Sequence, residues 1–194
     1  MIIFERQMSI EVNETGYYAL CQEMEQVDLA SLTKLKFAHR SLDTLPDLIS
    51  KCTSLTELNL SDNKLSKLPP LPKSIEHLDL ADNCFEEIPR QVFDLPNLKW
   101  LHLNGNHISV ISADINRLTS LYALLLMDNQ IDKLPPSICS MTWLTILNLR
   151  GNKLVTVPKR LGDLSQLNEL DLSHNPMQDI PRTLKGFKNL VIGE

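Results

Sequence analysis

Leucine and related apolar residues recur along the chain in a fixed order, and the order contains the alternation that is typical of β-strands. From residue 55 the pattern L-x-x-L-x-L-x-x-N occurs six times, and a looser copy with Arg40 in the Asn position precedes it. The seven copies begin at Leu32, Leu55, Ile75, Leu98, Leu121, Leu144 and Leu167. The L-x-L core of each copy predicts a short strand with one buried face. Repetition at this short period predicts coils that stack and share one core.

A second pattern fills the remainder of each coil. Two and five residues after the Asn position come further apolar residues, and Pro follows in every coil except one, which has Ser112 instead. Pro fixes φ and ends the inward segment. Two more apolar positions three residues apart predict a short helix or 3₁₀ turn on the return leg. The Asn side chain carries both a donor and an acceptor, so we expect it to bridge backbone groups of adjacent coils.

These motifs resemble the leucine-rich repeat family over about four-fifths of the chain. The resemblance implies an α/β fold, a leucine-rich repeat solenoid. Its curved horseshoe arc has a parallel β-sheet on the concave face and short helices or 3₁₀ turns on the convex face. The 23-residue units, with endings such as Leu134-Pro135-Pro136, resemble the intracellular Ras-associated class. The 20-residue unit from Leu55 has a Pro-rich segment at 68–72 in place of a helical return leg, and it resembles bacterial leucine-rich effectors.

The pattern divides the chain into three parts. Residues 1–31 are predicted to form an N-terminal cap, a strand around Met8 followed by an amphipathic helix from about Glu14 to Gln26. Residues 32–189 hold the seven repeats, and residues 190–194 begin an eighth copy at Leu190 or form a C-terminal edge. No comparable cap is visible after Leu190.

Composition narrows the compartment and the partners. Leu accounts for 36 residues and aromatic residues for only 5%, so Leu must build the core. A net charge of −5 argues against a nucleic-acid partner, and the absence of any long apolar run argues against a membrane. The four scattered Cys form no metal motif, and Met1–Gln7 does not resemble a secretory signal. We expect a cytoplasmic protein without a cofactor, and composition leaves its oligomeric state open.

The outward side chains of the predicted strands hold the candidate binding site. The ends of this surface are charged, whereas its middle is apolar and aromatic. Apolar patches of this kind mark partner surfaces, and Trp, Tyr and Arg are the usual anchors of an interface. The predicted partner-binding residues are Trp100, His102, Tyr122, Leu125, Met127, Ile146 and Arg150.

An enzymatic interpretation has weaker support. His77, Asp79 and His102 would be neighbours on adjacent strands, which suits a metal site or an acid–base pair. An open sheet face, however, offers no closed pocket for a substrate. No phosphate loop, nucleophile elbow or H-E-x-x-H motif is present. We therefore expect a non-enzymatic module that binds a protein on its concave face. If the chain is a bacterial effector, a specialised secretion system would deliver it into the host cytosol to act on a host protein. The alternative is a targeting or autoinhibitory repeat domain of a larger enzyme, for example a ubiquitin ligase.

Overall fold

Each coil contributes one strand to a single sheet. The structure is a computed structural model that describes residues 8–9, 21–22, 24–187 and 189–193. All of its strands are parallel and are paired in chain order. They are β1 (Met8–Ser9), β2 (Lys34–Lys36), β3 (Glu57–Asn59), β4 (His77–Asp79), β5 (Trp100–His102), β6 (Ala123–Leu125), β7 (Ile146–Asn148), β8 (Glu169–Asp171) and β9 (Asn189–Val191). The predicted solenoid, with its sheet on the concave face, is confirmed.

Short 3₁₀ helices form the convex side, as the return-leg pattern predicts. They are Leu29–Ser31, Asp47–Lys51, Arg90–Asp94, Ala113–Arg117, Pro136–Ser140, Lys159–Asp163 and Arg182–Gly186. Pro is the N-cap residue of five of them. Ser112, the exception in the Pro column, caps its helix by accepting a hydrogen bond from the Asp114 N–H at 3.2 Å. The Pro-rich coil from Leu55 has no helix between β3 and β4, as its sequence predicts.

The repeated Leu positions form one continuous core. The central Leu of each strand from β2 to β8 is at most 2% exposed, and the register places these Leu side by side across the sheet. The coils share this core, so each one depends on its neighbours for burial.

The Asn positions form a ladder inside the turns that follow the strands. Asn106 shows the pattern: its Nδ2 donates to the Leu80 carbonyl of the preceding coil and to the Leu103 carbonyl of its own. Its Oδ1 accepts from the Phe85 N–H at 3.1 Å. Asn63, Asn83, Asn129, Asn152 and Asn175 also bond to both their own and the preceding coil. Each Asn therefore satisfies backbone groups that the turn would otherwise bury without partners.

The N-terminal end of the solenoid is described in part. At the N-terminus β1 pairs with β2, with Met8 opposite Leu35. Residues 21–22 and 24–25 are helical and Met24 is 2% exposed, whereas most of the predicted cap helix lies outside the described residues. The division at residue 31 stays a prediction.

The start of the eighth copy requires a correction. The sequence pattern began it at Leu190, but the register of β8 and β9 places Leu190 opposite Leu170, the second Leu of the preceding copy. The eighth copy therefore begins at Phe187. Only residues 187–188 separate the last 3₁₀ helix from β9, whereas residues 164–168 separate the preceding helix from β8. This shorter connection moves Leu190 into the strand.

Removal of one ladder amide should destabilise the solenoid. Asn106→Ala leaves the buried Phe85 N–H without its acceptor and removes one of the two amide donors from each of the Leu80 and Leu103 carbonyls, so we expect the free energy of unfolding to fall by about 2 to 4 kcal/mol. Urea unfolding measures it. Asn116→Ala, an exposed change in a 3₁₀ helix, is the control and should cost less than about 0.5 kcal/mol. Equal losses in the two variants would contradict the role of the ladder.

The alkylation rates of the Cys thiols should follow their exposure to solvent. Burial raises the pKa of the Cys52 thiol from 9.0 to about 11 and also raises that of Cys139, whereas Cys84 is exposed. In native protein at pH 8, alkylation followed by peptide mass spectrometry should modify Cys84 first and Cys52 and Cys139 only on unfolding. Early modification of Cys52 would show that the core opens.

The same burial should make stability depend on pH. The unfolded chain can ionise Cys52 above pH 9, whereas burial keeps the thiol neutral in the folded state, so the free energy of unfolding should fall as the pH rises from 9 towards 11.

Candidate functional site

The outward side chains of the strands form two rows across the concave face. The first row is Lys34, Glu57, His77, Trp100, Ala123, Ile146, Glu169 and Asn189. The second row is Lys36, Asn59, Asp79, His102, Leu125, Asn148, Asp171 and Val191. Side chains in one row lie on neighbouring strands about 4.8 Å apart, so each row brings together residues that are 20 or 23 positions apart in sequence.

Aromatic rings gather in the middle of the face around Trp100. Its ring centroid lies 5.4 Å from that of Tyr122 and 6.2 Å from that of His102. His77 stacks on the indole from the preceding strand, with centroids 6.2 Å apart and planes inclined by 12°. Ring pairs at these separations attract each other beyond the area they bury, so the cluster is held in a defined arrangement.

Leu125 and Ile146 extend the aromatic cluster towards the C-terminal coils. Leu125 lies beside His102 in the second row, and both Leu125 and Ile146 are half-buried. Ala123 lies between Trp100 and Ile146 in the first row and is fully covered. Tyr122 is 43% exposed. The central coils therefore present apolar surface to solvent where their neighbours present polar groups.

The second row shows how unusual this surface is for the chain. In four coils the residue of this row has a side-chain oxygen that accepts the N–H two positions later, a turn favoured by Asn and Asp. The acceptors are Asn59, Asp79, Asn148 and Asp171, at 2.9 to 3.0 Å. His102 and Leu125 interrupt this series in the two central coils.

Asn104 supplies the acceptor that Leu125 lacks. Its Oδ1 accepts the hydrogen bond of the Met127 N–H at 2.8 Å from the preceding coil. The turn after β6 thus keeps its hydrogen bond although its own strand contributes a Leu. Leu125 is tolerated at this position because a neighbouring amide satisfies the backbone.

Two ion pairs lie on the N-terminal side of the cluster. Lys34 lies 3.1 Å from Glu57, and the Lys99 ammonium donates to Glu76 Oε2 at 2.7 Å. The hydrogen bond from Lys99 holds the pKa of the Glu76 carboxyl below its ordinary 4.5. Arg150 is exposed, and among the described residues its guanidinium has no ion pair. It is a charge available to a partner.

Two shallow hollows flank the aromatic cluster. The first, about 280 Å³, lies over β2–β5 and is bounded by Trp100 and His102. The second, about 430 Å³, lies over β7–β9 between Ile146 and Val191. The cluster is a ridge between two open depressions, a shape that suits a protein surface rather than an enclosed small molecule.

We call the seven predicted residues, Trp100, His102, Tyr122, Leu125, Met127, Ile146 and Arg150, the concave patch. Four of them, Trp100, His102, Leu125 and Ile146, are outward residues of β5–β7, and the ring of Tyr122 contacts Trp100. Met127 and Arg150 lie just after β6 and β7. That the seven bind a partner stays a prediction. Trp143, considered as a rim residue from the sequence, is not part of the patch, because its Nε1 donates to the Leu118 carbonyl at 3.0 Å and its ring packs against the core.

Two histidines contact the indole of Trp100. His77 and His102 both lie against Trp100, and the described residues contain no group of three or more His, Cys, Asp or Glu placed to bind a metal. His77 thus belongs to the aromatic cluster, although the sequence pattern had associated it with a candidate catalytic pair. Asn104 was missed entirely. The interruption of the Asn and Asp series at two consecutive copies is the signal in the sequence that identifies its role.

No helix among the described residues is long and apolar enough to span a membrane.

Comparison with known proteins supports the repeat assignment. The family model for a leucine-rich repeat region matches residues 75–192, and a second leucine-rich repeat model matches residues 51–67. A Ras guanine nucleotide exchange factor of Dictyostelium discoideum is 39% identical over 101 residues, which cover 43% of this chain and 5% of that protein. The match spans less than a quarter of the length of this relative and of the osteomodulins of Rattus norvegicus and Bos taurus.

Two solved structures extend the comparison to the fold. A leucine-rich repeat protein of Leptospira interrogans matches with a TM-score of 0.69 and 29% identity, over 84% of this chain and 50% of that one. The ectodomain of the Arabidopsis thaliana receptor kinase GASSHO1/SCHENGEN3, solved in complex with Casparian strip integrity factor 2, matches with a TM-score of 0.68 and 26% identity. That match covers 84% of this chain and 21% of the receptor. The repeated coils, the register of their strands and these matches show that the chain belongs to the leucine-rich repeat family.

Proposed function

We propose that this chain is a non-enzymatic module that binds a protein partner through the concave patch. Leucine-rich repeat domains generally serve as protein-binding scaffolds, and the ectodomain with a TM-score of 0.68 was solved with its ligand. The observation that carries the proposal is the presence of Leu125 in place of an Asn or Asp. The second row uses an Asn or Asp turn in four coils, but here it presents an apolar side chain and takes its acceptor from Asn104.

The geometry of the patch supports a protein partner. Trp100 and Tyr122 are rigid side chains of large area, and Trp, Tyr and Arg are the residues most enriched among interface anchors. Arg150, just after β7, is exposed, and its guanidinium forms no ion pair with the residues that the structure describes. An apolar centre with a charged rim matches the general anatomy of interfaces.

Two narrower functions have some support. The Pro-rich coil and the similarity to a Leptospira interrogans protein favour a bacterial effector that acts on a host protein in the host cytosol. The match to small parts of long proteins, among them an exchange factor and a probable protein kinase, favours a targeting or autoinhibitory domain of a larger enzyme. The size of the native protein, measured by immunoblot, distinguishes them, because the second requires a chain much longer than 194 residues.

Leu125→Asn should abolish partner binding without loss of the fold. The substitution introduces the Asn turn that is found in four other coils, so we expect the free energy of unfolding to change by less than about 1 kcal/mol. Loss of an anchor should reduce the captured partner at least about tenfold. The measurement is affinity capture from cell lysate with quantitative mass spectrometry. Val155→Asn, which alters an exposed apolar residue outside the patch, is the matched control and should capture as much as the unmodified chain. Equal capture by Leu125→Asn would refute the proposal.

A double-mutant cycle should show that an Asn at position 125 can replace Asn104 as the acceptor of the Met127 N–H. Asn104→Ala removes the acceptor of the Met127 N–H and should cost about 1 kcal/mol of stability. In the Leu125→Asn background the new amide can take over that hydrogen bond, so Asn104→Ala should cost close to nothing. Urea unfolding of the four proteins measures the coupling. Additive losses would show that Asn104 does not compensate for Leu125.

A further inference from the structure

The hollow over β7–β9 differs in charge from the remainder of the concave face. Its outward residues include Glu169 and Asp171, which lie two positions apart on β8 and point to the same side. Among the described residues, the Glu169 carboxylate has no hydrogen bond or ion pair. Asp171 Oδ1 accepts from the Ser173 N–H and hydroxyl at 2.9 and 2.6 Å, and its other oxygen has no hydrogen-bond partner within the described part of the chain.

On the other side of the ridge the outward rows hold equal numbers of cations and carboxylates, namely Lys34 and Lys36 with Glu57 and Asp79. Glu57 is paired with Lys34, and Glu76 with Lys99. Asp79 accepts a hydrogen bond from the Asn59 amide at 3.2 Å. The unbalanced negative charge of the concave strands is therefore concentrated over β8.

Each wall of this hollow combines an apolar side chain with an amide. Ile146 and Asn148 form the side that adjoins the concave patch, and Asn189 and Val191, the latter 52% exposed, form the opposite side. A Lys or Arg side chain combines an aliphatic stem with a cationic end, and it fits a depression that has an aliphatic side chain in each wall and carboxylates between the walls. The hollow is continuous with the patch through Ile146.

On this basis, which rests on the proposed function, we infer that the partner segment carries a Lys or Arg that occupies the β7–β9 hollow while an apolar anchor contacts the concave patch. Leu125 and Asp171 belong to the same row on strands β6 and β8, so about 9.6 Å separates their positions. About three residues of extended chain span that distance. The inferred partner is an apolar segment with a basic side chain about three residues from its anchor.

The test uses a displayed library of random 12-residue peptides selected on the full chain. Peptides that bind should combine an aliphatic or aromatic residue with a Lys or Arg. Replacement of that basic residue with Ala should weaken binding at least about fivefold, and added salt should weaken the parent peptide more than the Ala peptide.

A charge-neutralised variant supplies the second arm. Glu169→Gln with Asp171→Asn removes both charges, and the new amide at 171 can still accept from Ser173. This variant should bind the selected peptides at least about fivefold more weakly and should lose its preference for the basic residue over Ala. Glu86→Gln with Glu87→Gln, exposed residues outside the concave rows, changes the net charge equally and should leave binding within about twofold.

The outcomes separate this inference from the proposed function. Binding that depends on Leu125 but not on Glu169 and Asp171 overturns the inference and leaves the proposed function standing. Enrichment of acidic peptides also overturns the inference. Failure to select any peptide, or binding that Leu125→Asn does not affect, counts against both.

Discussion

The structure depends on the Asn amide that joins each coil to the one before it. A short coil cannot bury its apolar face alone, and it gains a core only by stacking on its neighbours. Stacking buries the carbonyls and N–H groups of the turns, which would be costly without partners. Asn106 and its equivalents satisfy groups in two coils at once. The Leu core provides most of the stabilisation, but it can form only because this ladder satisfies the turns.

The same constraint explains why the concave face can vary. The inward Leu and the Asn are committed to the scaffold, whereas the outward rows bear little of its energy. The turn after each strand has its own requirement, an acceptor for one N–H, which Asn59 and Asp171 meet locally. At β6 the requirement is met from Asn104 instead. A Leu can therefore lie at the surface without leaving a buried polar group unsatisfied, which makes room for a recognition surface.

Charge is distributed over this surface in a way that residue counts do not show. The net charge of −5 is small for the size of the chain. On the N-terminal side of the concave face Lys34 and Lys36 balance Glu57 and Asp79. Glu169 and Asp171 on β8, by contrast, form no ion pair with any described residue. The face is thus an aromatic ridge with a nearly neutral side and an acidic side, and this asymmetry gives a bound segment a direction.

The periodicity predicted the short strands, the 3₁₀ turns, the Leu core and the Asn ladder, because each coil repeats the same local demands for burial and hydrogen bonding. The family resemblance added the parallel sheet and its concave face. The periodicity also placed Trp100, His102, Leu125 and Ile146 on one face. It did not find the start of the last copy, since Phe187 fills a Leu position after a shortened connection, and only the pairing of Leu190 with Leu170 revealed it. The stacking of His77 on Trp100, the inward packing of Trp143 and the hydrogen bond from Met127 to Asn104 were decided by tertiary structure. These contacts join different coils, and side-chain direction across a stack is set by the packing of neighbours rather than by the repeat of any one coil.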